Sequence, residues 1–141
     1  MKWNEFDKTL GQNLNSVDYW EDEESAYAIG LLKEFNDQDW EFLTKEWKTR
    51  PDVWKERCAQ LIDLRKDQTC FSILAEMLET SNLDITINAI ESLQGFSADV
   101  DWSEISEERV VTASKTIDES SLIDSYKSEL TDFLKARLQK P

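Results

Sequence analysis

The sequence predicts an all-α protein, built as a short right-handed stack of antiparallel helix pairs with about seven or eight helices. Three observations carry that expectation. Only 3 Gly and 2 Pro occur in 141 residues, too few to turn the chain at every hairpin of a many-stranded β protein. Apolar residues recur at three- and four-residue spacing along most of the chain. The polar residues between those stripes have the chemistry of helix starts and stops. A chain of this length can bury roughly 65–70% of its unfolded surface, enough for one core, and two full domains would fit poorly. One helical repeat-like domain over residues 1–141 is expected. With 40% hydrophobic residues, 6 Trp and 6 Phe, the composition is that of a folded protein.

Residues 1–10 mix polar and apolar side chains and are read as a short opening segment without the apolar core of a secretory signal. Asp18, Tyr19, Trp20, Glu21, Asp22, Glu23 and Glu24 then form an acidic run in which Asp18 and Glu21 have capping-box spacing. A helix carrying Ala28, Leu31, Leu32 and Phe35 follows. Asn36 to Asp39 offers the next cap, and Trp40, Leu43 and Trp47 form a stripe ended by Arg50 and Pro51. Pro51 can open another helix, whose face holds Trp54, Cys58, Leu61, Ile62 and Leu64, with Asp52 in its first turn and Arg65 and Lys66 in its last.

Asp67 starts a helix with Phe71, Leu74, Ala75 and Leu78. Thr80, Ser81 and Asn82 interrupt it, and Leu83, Ile87, Ile90 and Leu93 resume the stripe until Gly95, a suitable stop. Asp101 with Glu104 has capping-box spacing ahead of Ile105, Val110, Ala113 and Ile117. Ser121 and Asp124 open a last helix bearing Leu122, Tyr126, Leu130, Phe133, Leu134 and Leu138, with Lys135, Arg137 and Lys140 at its C-terminal end. Short turns between such helices make sequence neighbours antiparallel, giving a small α-solenoid in which 40–65 and 71–93 are successive pairs. The two cysteines, Cys58 and Cys70, fall about five residues out of level on those helices, or roughly 7 Å, a poor separation for a bridge. They are expected as half-buried thiols in a reducing compartment.

The net charge is −14. It is unevenly spread: −8 over residues 1–44, +2 over 45–70 and −8 over 71–141. An acidic surface repels phosphate, so nucleic acid is an unsuitable partner and a basic protein surface a suitable one. There is no histidine, no Gly-rich phosphate loop and no calcium-loop motif, so the expectation is a protein that is not an enzyme and uses no cofactor or metal. The longest apolar run, residues 26–32, is far below the ~20 residues that span a bilayer. A cytoplasmic protein without a membrane partner is expected, monomeric when free.

Two clusters combine carboxylates with aromatic rings, the pairing found at interfaces with Lys- and Arg-rich partners. The first is Asp18, Tyr19, Trp20, Glu21, Asp22, Glu23 and Glu24; the second is Asp101, Trp102, Glu104, Glu107 and Glu108, with Asp99 nearby. Helix-start carboxylates beside an aromatic staple would produce the same letters for structural reasons. Trp40, Trp47 and Trp54, lying on apolar stripes, are expected in the core.

Trp40, Trp47, Trp54, Cys58-Ala59-Gln60-Leu61, Phe71-Ser72-Ile73-Leu74, Met77-Leu78, Asp84-Ile85 and Ala89-Ile90-Glu91-Ser92-Leu93 resemble small HEAT-like helical proteins of bacteria, some of them immunity proteins. The resemblance covers about 55 of 141 residues and is one of packing. It implies an immunity protein of a bacterial toxin system of the contact-dependent growth inhibition type, which binds a cognate basic toxin domain, a nuclease, and covers its active-site surface. The alternative is a non-catalytic helical-repeat adaptor.

Overall fold

The buried stripes and helix caps of the sequence resolve into eight α-helices in a computed structural model that describes residues 1–12 and 20–138. These are α1 (Lys2–Leu10), α2 (Ser25–Lys33), α3 (Asp37–Glu46), α4 (Asp52–Leu61), α5 (Gln68–Met77), α6 (Leu83–Leu93), α7 (Glu107–Asp118) and α8 (Asp124–Leu138). A π-helical turn, Trp20–Glu24, leads into α2, and 3₁₀ turns occupy Trp47–Thr49, Ile62–Leu64 and Trp102–Glu104. No strand occurs among the described residues. None of the described helices is long and apolar enough to cross a membrane. The chain divides into two compact units, Met1–Ile62 and Asp63–Pro141.

In the first unit α1 packs on α2, α3 and α4. Lys2–Leu10 is thus a full helix, not merely part of an opening segment, and Trp3, Phe6 and Leu10 form its buried face at the i, i+3, i+7 spacing. Trp54 of α4 meets Trp3 and Phe6 edge-on at 6.1 and 6.2 Å, and Phe35 bridges Phe6 to Trp40 at 5.3 and 5.2 Å. Trp40, Trp47 and Trp54 are all buried.

Polar ties fix α1 along its length. The buried Asp39 accepts from the Trp3 N–H and the Asn36 N–H, each at 3.0 Å, while Asn36 Oδ1 accepts from the Asp39 N–H. One carboxylate thereby satisfies donors at the starts of α1 and α3. Arg50 forks onto both oxygens of Asp7 at 2.7 and 2.8 Å, and that hydrogen-bonded pair holds the guanidinium pKa above its ordinary value. Trp54 Nε1 donates to the Asp7 carbonyl.

In the second unit sequence neighbours pack in turn: α5 on α6, α6 on α7 and α7 on α8, with α6 also against α8. Phe71, Leu74 and Met77 of α5, Ile85, Ala89, Ile90 and Leu93 of α6, Ala113 and Ile117 of α7 and Leu134 of α8 are fully buried. Two of its helix starts use one device. Lys66 and Ser81 take left-handed backbone angles, φ 55° and 59°, and each is followed by an Asx cap: Asp67 accepting from Cys70 N–H and Asn82 from Ile85 N–H. A left-handed residue with a Cβ costs roughly 1 kcal/mol, which the cap and the packed helix after it offset.

Several local expectations change. The helix after Pro51 ends at Leu61, so Arg65 and Lys66 are not in its last turn, and Leu64 is exposed after a 3₁₀ turn instead of continuing the apolar face. Gly95 follows α6, whose end closes through a Gly95 N–H to Ser92 carbonyl bond, and no glycine among the described residues is left-handed. Asp101 does not cap the helix of Val110. It caps the 3₁₀ turn by accepting from Ser103 N–H, and Ser106 caps α7 by accepting from Arg109 N–H. Cys58 and Cys70 are free and fully buried, not half-buried, and burial pushes the Cys58 thiol pKa up.

Asp39→Ala should lower stability by about 2–3 kcal/mol in urea unfolding, since two backbone donors lose a charged acceptor. Ser81→Gly should raise stability, by about 0.5–1 kcal/mol, because glycine takes the left-handed angle without the Cβ penalty.

Candidate interaction surface

The first acidic cluster is split by its own aromatic. Asp18 and Tyr19 lie outside the described residues, as do the side chains of Glu21 and Asp22. Trp20 is buried, its indole N–H donating to Gln60 Oε1 at 3.1 Å and its ring covered by the Arg57 guanidinium at 4.7 Å. Arg57, itself 4% exposed, donates to the carbonyls of Leu10 and Gln12 at 3.1 and 2.6 Å. Desolvation lowers its pKa, and the negative charge of Glu24 opposes that shift. Glu24 is buried and Glu23 is exposed. Trp20 and Glu24 therefore serve packing in this structure, and Glu23 faces solvent. The place of Arg57 three residues after Trp54, on the apolar face of α4, was the sequence sign of an inward guanidinium.

The second cluster also separates into anchors and exposed groups. Trp102 packs edge-on against Phe71 at 4.9 Å and Phe133 at 6.1 Å, donates from Nε1 to the Ser97 carbonyl, and carries Arg137 over its ring at 4.8 Å. Glu104 turns back to α5, where Ser72 Oγ donates to both its oxygens at 2.8 and 2.7 Å and Gln68 Nε2 donates as well. Gln68 Oε1 accepts from Asp101 N–H, so this one side chain holds the turn at two points. Hydrogen bonds from Ser103, side chain first and then backbone, hold the Asp101 carboxyl pKa below its ordinary value.

Glu107 and Glu108 occupy the first turn of α7 and are exposed, in the field of the helix N-terminus that favours anions. Arg109 turns away from them, donating to Glu79 Oε2 at 3.0 Å and to the Glu104 carbonyl at 2.8 Å, and thereby places Glu79 beside the same edge. Glu79, Glu107, Glu108, Val111 and Thr112 line a depression of about 440 Å³. Val111 and Thr112 continue into a second of about 620 Å³, bordered by Ser81, Leu83, Lys115 and Glu119 among others. Val111, 61% exposed, stands where the two meet. The result is an open groove along α7 with three carboxylates at one end and a lysine–glutamate pair of charges toward the other.

Glu107 and Glu108 are legible in the sequence as an acidic pair beside Trp102, whereas Glu79 reaches the same edge only through its tertiary contact with Arg109. Val111 was legible as a β-branched apolar residue out of phase with the Val110, Ala113 and Ile117 stripe. Among the described residues, no group of three or more His, Cys, Asp or Glu side chains is placed to hold a metal ion.

Because its native pKa is depressed, Asp101 contributes stability at neutral pH that is lost as pH falls through that lowered value. Ser103→Ala should move the Asp101 titration upward toward an ordinary aspartate, as followed by carboxyl NMR.

Comparison with known protein families, with curated proteins and with solved structures returns no match for this chain.

Proposed function

We propose that the protein is a non-catalytic, cytoplasmic binding protein that neutralises a cognate basic toxin domain, a nuclease, by covering its active-site surface. The observation that carries this reading is the net charge of −14, a field that attracts a Lys- and Arg-rich partner and repels nucleic acid. A nuclease groove selects phosphates, and carboxylates held on a helical surface can stand where those phosphates would lie. The resemblance of the 40–93 stretch to HEAT-like immunity proteins supplies the toxin as partner and a right-handed stack of helix pairs as architecture. Sequential packing of α5 through α8 supports that architecture within the second unit.

Co-expression with the protein encoded immediately upstream tests the reading. The expected outcome is rescue of growth and a complex that co-purifies at low salt and weakens as salt rises, because rim charges govern encounter and salt dependence. No rescue and no complex would overturn toxin neutralisation and leave the adaptor. Glu107→Lys with Glu108→Lys should weaken the complex about tenfold, mainly through slower association in a binding assay. Circular dichroism should remain helical, since reversing each first-turn charge costs only about 0.3–1 kcal/mol.

A further inference from the structure

We propose that the groove along α7 seats a basic amphipathic helix of a partner protein, with its cationic end against Glu107 and Glu108 and an apolar side chain on Val111. Three observations favour this occupant. The groove follows α7 from Glu107 to Glu119, about 18 Å at 1.5 Å per residue, which matches three turns of a second helix. Its centre is Val111, 61% exposed, with Leu83 half-buried on the wall, so an apolar residue placed there leaves water without losing a hydrogen bond. Its charge is polar along the axis: Glu107 and Glu108 are exposed at the N-terminal end, where Glu79 is already paired with Arg109, and Lys115 stands with Glu119 toward the other end.

That polarity orients the partner. Lysines or arginines pair with the carboxylate end, and a neutral residue suits the end where Lys115 stands with Glu119. A second copy of this chain is disfavoured as occupant, because each copy brings a net charge of −14. The groove assignment rests on the proposed toxin-binding role only for the identity of the partner; its chemistry comes from the groove itself.

The test is an amide NMR titration of the full chain at near-physiological salt with a synthetic amphipathic peptide of about fourteen residues, leucines on one face and lysines toward one end. A peptide with glutamate in place of lysine is the control. Saturable shifts centred on Glu107, Glu108, Val111, Thr112 and Lys115 and reaching the Glu79 and Leu83 wall, seen with the lysine peptide alone, are expected. Val111→Asp separates a groove from a merely acidic surface. It adds a charge that attracts the peptide, so binding by charge alone would tighten, whereas loss of the apolar contact should weaken it about fivefold. Tighter or unchanged binding by that variant, shifts centred elsewhere, or no shift at millimolar peptide would overturn the proposal. If the peptide seats in the groove while the upstream-encoded protein forms no complex, the groove stands and the toxin falls. If that complex forms but its shifts avoid α7, the toxin reading stands and the groove falls.

Discussion

The buried carboxylate of Asp39 is the constraint on which the first unit depends. An anion taken out of water is costly unless every lone pair that matters finds a donor, and here the donors are backbone N–H groups at the beginnings of two helices. The arrangement locks α1 to α3 in register and orientation. Once α1 is fixed, Trp3 and Phe6 must meet Trp54, the Asp7 carbonyl must meet the indole N–H of that tryptophan, and Arg50 must meet the Asp7 carboxylate. Nonpolar area supplies the driving force for this packing, and the polar ties select one way of achieving it.

Arg57 extends the same logic to the end of α1. Its guanidinium takes the carbonyls of Leu10 and Gln12 and sits over the Trp20 ring, so a single side chain of α4 fixes both the exit from α1 and the π-helical entry into α2. An arginine can do this because five N–H donors lie in one plane whose faces remain free to stack. The π-helical turn Trp20–Glu24 is therefore anchored from inside, by an aromatic and a cation.

In the second unit the cations are largely spent on local geometry: Arg65 on Asp67, Lys66 on Asp63 and Arg109 on Glu79. Arg137 lies over the rings of Trp102 and Phe133. Exposed pairs of this kind contribute little to stability individually. Their larger effect is to decide which carboxylates keep an outward field, and at the start of α7 those are Glu107 and Glu108. Glu104 belongs to the same stretch of sequence yet serves the opposite purpose, accepting hydrogen bonds from α5.

The sequence by itself determined the helical class, most of the buried stripes and the caps at Asn36 and Asp67, because period and capping chemistry are local properties of neighbouring residues. It also contained α1 in the spacing of Trp3, Phe6 and Leu10, although the polar letters between them obscured it. Tertiary structure alone decided that Asp39 is buried while Asp37 is exposed, that Trp20 and Glu104 turn inward, and that Glu79 joins Glu107 and Glu108 around Val111. The physical reason is that a carboxylate or an indole has the same letter whether it meets water or a donor. Only the packing of residues some 30 positions apart, such as Arg109 on Glu79 or Ser72 on Glu104, determines which it meets.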